Sequence, residues 1–331
     1  VRLCVFLLAI ALRAETGRDA WLRYAPQKPQ TVPAVLAVLG DSPVIGNARD
    51  EILRGIRGMA GKTLRLESAM PKENAIVLGT LPAFPKLSAN LPADAYWLKT
   101  VHSGNINYTV VTATNDRGVL YGAFALLRKI ALGQPVTNLD EQQTPYAPIR
   151  WVNQWDRLDG TIERGYGGRS IFWDEGRARG DLTRVRDYGR LLASLGINGC
   201  AINNVNADKR ILSPDFLPQI ASIAAALRPW GVQTVISVDF GSPKTVGGLN
   251  TFDPLDPLVA AWWKTKIDEL YAAIPDLGGV VMKADSEGQV GPSAYQRTHA
   301  DAANVVARAL QPHGGMIFYR GFVYDHHMDW N

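Results

Sequence analysis

Gly279-Val-Val-Met-Lys-Ala-Asp-Ser-Glu-Gly-Gln-Val-Gly-Pro292 is the stretch on which the reading of the fold turns. An apolar run, Val280 to Met282, passes at once into Lys283, Asp285, Ser286 and Glu287, and then into a Gly/Pro turn. A buried strand that ends in a lysine, two carboxylates and a hydroxyl suits the mouth of an enzyme. The other reading is a surface loop in which Lys283 pairs with Asp285. The neighbouring strands decide between the two by whether they end the same way.

They do. Ile149 to Val152 runs into Asn153-Gln154-Trp155-Asp156, Gly199 to Ile202 into Asn203-Asn204-Val205-Asn206, Val232 to Val238 into Asp239, and Gly315 to Tyr319 into Arg320. Between them lie helical patterns: Leu182 to Leu195 behind a capping Asp181, a helix begun by Pro214, Pro257 to Ile274, and Ser293 to Leu310. Strand and helix units about 35 to 50 residues apart, with nearly continuous apolar strands, predict a parallel sheet buried on both faces. A (β/α)8 TIM barrel and a doubly wound sheet both fit. The polar strand ends favour the barrel, where such ends converge on one face. No G-x-G-x-x-G or phosphate loop follows the first strand, which counts against a nucleotide-binding sheet. About five of the eight strands of a barrel are legible, so either the chain is truncated within it or the sheet is not a closed barrel.

With 331 residues and 47% hydrophobic content the chain can bury a large core, and its length suggests two domains or one large α/β domain. Residues 1–14 place Arg2 before an apolar run, Leu3 to Leu12, too short to span a bilayer. They read as a signal peptide cut near Ala14, which implies a periplasmic or extracellular protein, the other reading being a buried first strand or an uncleaved anchor. Residues 15–146 read as a small N-terminal α/β domain. Its strands are Ala34 to Leu39, Ala75 to Leu78 and Asn107 to Ala113, with a hairpin turn at Gly104-Asn105. Its helices are Ala48 to Met59 and Gly118 to Ile130, and Gly40-Asp41-Ser42 reads as a turn. Gly133 to Pro148 is a linker by composition, and residues 147–331 form the partial barrel. The formal charge of +4 falls to +2 once Arg2 and Arg13 leave with the leader, too little for a nucleic-acid footprint. Cys200 is then the sole cysteine, so neither an internal disulfide nor a Cys-rich metal site is available.

Tryptophan, amides, cations and carboxylates around one bowl suit a carbohydrate. Lys283 and Arg320 call for an anionic sugar, since a guanidinium binds a carboxylate by a two-point fork. Trp155 as a core residue, and Arg320 paired with Asp285 or Glu287, are the competing readings. Glycoside hydrolysis needs two carboxyl groups, and Glu287 is the candidate proton donor. Lys283 would lower its pKa, whereas the role needs it raised, and Asp285 is the carboxylate that could raise it. No base stands out. Asp325 is followed by His326 and His327, but adjacent histidines on a strand point apart and lack a matching ligand set, so no metal and no cofactor are expected.

At these residues the chain resembles glycoside hydrolase family 67, the α-glucuronidases of xylan breakdown. The carriers are Trp151-Val-Asn-Gln-Trp-Asp156, Gly160-Thr-Ile-Glu-Arg-Gly-Tyr-Gly-Gly-Arg-Ser-Ile-Phe172, Gly196-Ile-Asn-Gly199 with Asn203-Asn-Val-Asn206, Asp253-Pro-Leu-Asp-Pro257, Lys283-Ala-Asp-Ser-Glu-Gly-Gln289 and Tyr319-Arg-Gly-Phe-Val-Tyr324. Asp19-Ala-Trp-Leu-Arg-Tyr24 and Gly118 to Arg128 extend it over nearly the whole chain. The resemblance implies an N-terminal α/β domain, a (β/α)8 catalytic barrel, a helical C-terminal domain and metal-free inverting hydrolysis. The substrate would be the α-1,2 bond between (4-O-methyl)glucuronic acid and xylose in xylooligosaccharides.

Glu287 matches the family's general acid. Trp155, Val205, Lys283 and Arg320 match positions around the bound uronic acid, and Asn204, at a strand end, joins them as a candidate substrate contact. The family's base, an Asp and a Glu on later strands, would lie beyond Asn331, so the chain as given is expected to bind weakly and catalyse little. Gln154 and Arg157 stand where the family usually has His and Asn, and Val290 where it has Pro. Expected partners are glucuronoxylan-derived oligosaccharides and a second copy contacting through sequence beyond Asn331, with no nucleic acid and no membrane after leader cleavage. The alternative is a non-catalytic uronic-sugar-binding remnant.

Overall fold

The computed structural model describes residues 23–27 and 31–321. The leader and the Asp325, His326 and His327 group lie outside the described residues.

Strand β1 (Val35–Leu39) is followed by helix α1 (Pro43–Ala60). The helix begins at Pro43 rather than Ala48 because Gly40-Asp41-Ser42, the expected turn, delivers a cap. Ser42 Oγ accepts from the Ile45 N–H at 3.2 Å, and Pro43 fills a first-turn position that needs no N–H. Ile45, Ala48, Ile52, Ile56 and Met59, three and four apart, bury one face. Then come β2 (Arg65–Glu67), β3 (Ala75–Thr80) and the antiparallel hairpin of β4 (Tyr96–Ser103) and β5 (Ile106–Ala113) about Gly104-Asn105. Helix α2 (Asp116–Ala131) is capped by Asn115.

The segment expected as a linker contains β6 (Asp140–Gln143), paired with β4. All four residues of β6 and all three of β2 are exposed, so neither strand leaves the alternation by which a strand is recognised. The sheet order is β2-β1-β3-β5-β4-β6.

Beyond it, β7 (Trp151–Asn153) leads through the small ribbon β8 (Trp173–Asp174) and β9 (Arg177–Ala178) to α3 (Thr183–Ser194). Asp181 Oδ1 accepts from the Thr183 N–H at 2.9 Å in a local turn, but the N-cap position falls to Leu182, which has no side-chain cap, so Asp181 is not the expected cap. Next are β10 (Gly199–Ala201), α4 (Leu217–Leu227), β11 (Gln233–Asp239), the short α5 (Ser242–Thr245), α6 (Pro257–Ala273), β12 (Gly279–Ala284), α7 (His299–Leu310) and β13 (Met316–Gly321).

These strands form a parallel sheet in the order β13-β12-β11-β10-β7, the order of the chain itself. A doubly wound sheet reverses its order at a switch point, and none occurs among the described strands. The sheet is also curled. Its outermost strands would lie about 19 Å apart if flat, at ~4.8 Å per step. Yet the rings of Trp151 on β7 and Phe318 on β13 meet with centroids 4.9 Å apart. Alternation along each strand then has a plain consequence. Ile236, Val238, Val280 and Met282 pack outward into the helix-covered core, while Ala201, Val235 and Val281 face the concave side with Trp151 and Trp155.

The two sheets are joined by buried charge. Glu51 on α1, fully buried, accepts two hydrogen bonds from Arg190 on α3, at 2.8 and 2.6 Å, and one from the Tyr24 hydroxyl at 2.5 Å. Asp94 accepts from Arg117 and Arg150, both at 2.8 Å, and from Asn198 at 3.1 Å. No helix among the described residues is long and apolar enough to cross a membrane.

Candidate functional site

Parallel registration sets the site. Asp239 pairs with Lys283 and Lys283 with Arg320, so the C-terminal ends of β11, β12 and β13 carry one row of ionisable residues on the concave side. Lys283 is 2% exposed. So deep an ammonium needs partners, and it has them: Nζ donates to Asn206 Oδ1 at 2.7 Å and pairs with Glu287.

Glu287 reaches back to that lysine because the chain turns sharply after β12, with Asp285 at φ +52° and Glu287 at φ +50°. Its second oxygen, Oε1, accepts from Arg164 Nη2 at 2.8 Å. The hydrogen bond and charge of Lys283, with the charge of Arg164, hold the Glu287 carboxyl below the ordinary glutamate range.

Asp285 does not raise it, contrary to expectation. The same turn directs its carboxylate to Ser293, whose N–H donates at 3.2 Å and whose hydroxyl also donates. Gly291 permits this approach, since a Cβ there would stand 2.3 Å from the Asp285 carboxyl carbon. The surface-loop reading falls with it, because Lys283 pairs with Glu287 and not with Asp285.

Trp155 leaves β7 half-buried and packs with Val205, which is 2% exposed. The Arg320 guanidinium carbon stands 5.2 Å from the centre of the indole. A cation over an aromatic face is attracted by the ring quadrupole, so the two side chains hold each other in place. Arg320 was expected either to meet a sugar or to pair with Asp285 or Glu287, but both carboxylates are taken by other partners.

Asn204 serves the protein itself. Its amide donates to the Trp155 carbonyl at 3.1 Å, its Oδ1 accepts from the Asn206 N–H at 2.8 Å, and its own N–H donates to the Asp156 carbonyl at 2.6 Å. It therefore ties the loop after β7 to the loop after β10. Asp156, fully buried, accepts from the Ser170 hydroxyl at 2.5 Å and the Ile171 N–H at 2.8 Å, pinning the far end of the first loop.

Two residues at the site were not singled out from the sequence. Asn206 closes the run Asn203-Asn-Val-Asn206 and could have been chosen from it. Arg164 lies within the Gly160-to-Phe172 motif, but nothing there ties it to Glu287, 123 positions away. Asp239 lies 2% exposed at the end of β11, where burial pushes its carboxyl up against the pull of Lys209 and the Gly241 N–H. Beside Asn206 opens a cleft of about 480 Å³, lined by Asp156, Asn204, Asp208, Lys209 and Arg210 among others. That volume is in the range of small-molecule sites. Cys200 is buried and its thiol is pushed up by burial, which makes it inert.

Comparison with known proteins gives this geometry a context. A model of the glycosyl hydrolase family 67 middle domain matches residues 129–331, and one of the family's N-terminus matches residues 20–126. A probable alpha-glucuronidase A of Aspergillus oryzae is 43% identical over 342 residues, covering 99% of this chain and 40% of that protein. Alpha-glucuronidase A of Emericella nidulans is 43% identical, covering 98% and 41%. The chain thus spans about 40% of the length of these curated relatives.

Among solved structures, a family GH115 4-O-methyl-alpha-glucuronidase with specificity for decorated arabinogalactans matches 88% of this chain and 40% of its own, with TM-score 0.55 and 16% identity. A GH138 enzyme targeting pectin rhamnogalacturonan II matches 85% and 42%, with TM-score 0.54 and 12% identity. At such identities the likeness is one of fold.

Proposed function

This chain belongs to glycosyl hydrolase family 67, and we propose that it supplies the sugar-binding and proton-donating side of an exported, inverting α-glucuronidase. The substrate on this reading is a xylooligosaccharide bearing (4-O-methyl)glucuronic acid through an α-1,2 bond. The curled five-stranded sheet is read as part of a (β/α)8 barrel, and the 43% identity to proteins named alpha-glucuronidase supports the assignment. Export, to the periplasm or beyond the cell, rests on the leader-like residues 1–14.

The observation that carries the proposal is Glu287 paired with Lys283 at the end of β12, where Lys283 lies in register with Arg320 and Arg320 stands over Trp155. A pyranose ring lies on the indole, the apolar wall of Val205 borders it, and the uronate carboxylate meets the guanidinium and the ammonium. Glu287 donates its proton to the leaving oxygen. At rest its two oxygens accept from cations, so the proton must arrive once those cations find another anion, and the sugar carboxylate is one. Inversion also needs a second carboxyl group about 6.5 to 9.5 Å away to activate water. We assign that group to sequence outside the described residues.

Proton NMR of aldouronic acid incubated with the active enzyme tests this. Glucuronic acid should first appear as the β-anomer, and release should slow by about 10² to 10⁴ in Glu287→Gln. First release of the α-anomer would indicate retention and sink the mechanism. One observation favours a non-catalytic uronic-sugar-binding module instead, namely that Glu287 is held ionised. Sugar binding with no release by any form of the protein would establish that reading.

A further inference from the structure

We infer that Arg164 is a positioning residue for the proposed proton donor, seating Glu287 Oε1 and governing when that carboxyl gains its proton. The inference rests on the reading of Glu287 as the donor. It starts from the asymmetry of the two cations on this carboxylate. Lys283 is buried on a central strand and fixed by Asn206. The Arg164 side chain is 59% exposed and comes from a different loop.

That loop has an anchored base and a closed tip. The Glu163 N–H donates to the Trp155 carbonyl at 2.9 Å, and its own carbonyl accepts from the Asn204 amide at 3.5 Å. The Ile162 N–H donates to the Gly168 carbonyl at 3.1 Å and the Gly165 N–H returns to the Ile162 carbonyl at 3.0 Å, closing a tight tip. Arg164 is the first residue of the tip beyond the anchored one, so its reach to Glu287 is set by the same contacts that seat Trp155.

Each charged group around Glu287 has a place in this arrangement. Lys283 comes from β12, Arg164 from the loop after β7, and Glu163 lies behind Arg164, its Oε1 3.5 Å from Arg164 Nε. Asn206 comes from the loop after β10, Arg320 stands on β13 over Trp155, and Asp285 is turned to Ser293. Arg164 is the exposed member of the pair that holds the carboxylate. Releasing it removes one positive charge, frees Oε1 to carry a proton and makes the carboxyl less acidic. In the enzyme, Arg164→Gln should move the basic limb of the kcat/KM profile upward, since the donor then keeps its proton to higher pH.

The direct test is a carbon-detected NMR titration of the Glu287 side-chain carboxyl, its signal identified by its absence in Glu287→Gln. Arg164→Gln should raise the midpoint and Arg164→Lys should return it toward wild type. In the unaltered chain, the Arg164 guanidinium signals should move with the same midpoint as Glu287, which needs no variant to fold. An unmoved midpoint in a folded Arg164→Gln chain, or unrelated midpoints in wild type, would overturn the inference. A linked titration in a chain that binds no uronic sugar would instead sink the proposed function and leave the Arg164 linkage standing.

Discussion

At Glu287 the chemistry comes down to which charges a carboxylate can see. Lys283 and Arg164 hold it ionised, and the sharp turn that could have brought Asp285 beside it sends Asp285 to Ser293. Replacing Glu287 by Gln in the active enzyme should cut kcat by about 10² to 10⁴ with little change in KM, because the proton transfer is made only in the transition state. Steady-state kinetics on aldouronic acids check this, and an unchanged kcat would remove Glu287 from the reaction. Trp155→Ala should weaken uronic-sugar binding by about 1 kcal/mol or more, from the lost ring and the unseated Arg320. Calorimetry measures it, and unaltered affinity would return Trp155 to a core role. The sequence exposed Lys283 and Glu287 because strand and turn lie in one continuous stretch. It could not expose Arg164, whose loop reaches the acid only through folding, and it misjudged Asp285 because one backbone angle decides where that side chain points.

Among the elements, the pairing of β12 with β13 matters most to the site, since it puts Arg320 beside Lys283. Gly279 opens β12 at φ +141°, and a Cβ there would lie 1.9 Å from the Met316 carbonyl oxygen. Gly279→Ala must therefore push β13 away and is expected to destabilise the chain by at least about 2 kcal/mol. A urea midpoint unchanged from wild type would show that the strand pair yields without cost. The apolar strands β1, β3, β5, β10, β11 and β12 were legible because burial on both faces leaves continuous hydrophobic runs. The strands β2 and β6 were not, because all their residues are exposed and carry no such pattern. The beginning of α1 was hidden in a Gly-Asp-Ser turn whose serine proved to be the cap.

The molecule as a whole depends on a charged seam between its two sheets. Burial alone would raise the Asp94 carboxyl, but hydrogen bonds from Arg150 and Asn115, the charge of Arg117 and a hydrogen bond from Asn198 outweigh it and hold the group below the ordinary aspartate range. A depressed pKa of this kind contributes stability that is fully present above the unfolded value of about 3.9. That contribution is lost as pH falls through the folded value. Asp94→Ala should therefore cost about 3 kcal/mol at neutral pH, and the gap from wild type should close in acid. Thermal unfolding across pH reads this directly, and a gap that persisted below the folded value would place the effect in packing instead of charge. Nothing in the sequence joined Asp94 to Arg150 or Glu51 to Arg190, since such pairs become visible only when separate parts of the chain meet. The parallel sheet, by contrast, was legible from repeated strand and helix units, and its curl is seen in the contact of Trp151 with Phe318.

The proposed function requires that the C-terminal ends of the curled sheet hold a sugar acid between Trp155, Lys283 and Arg320. Chemical-shift titration of the chain with D-glucuronate and, separately, with D-glucose tests this most directly. Saturable shifts of the Trp155 indole and Arg320 guanidinium signals are expected with glucuronate alone, and they should be lost in Arg320→Ala. An equal response to both sugars, or none to either, would contradict it.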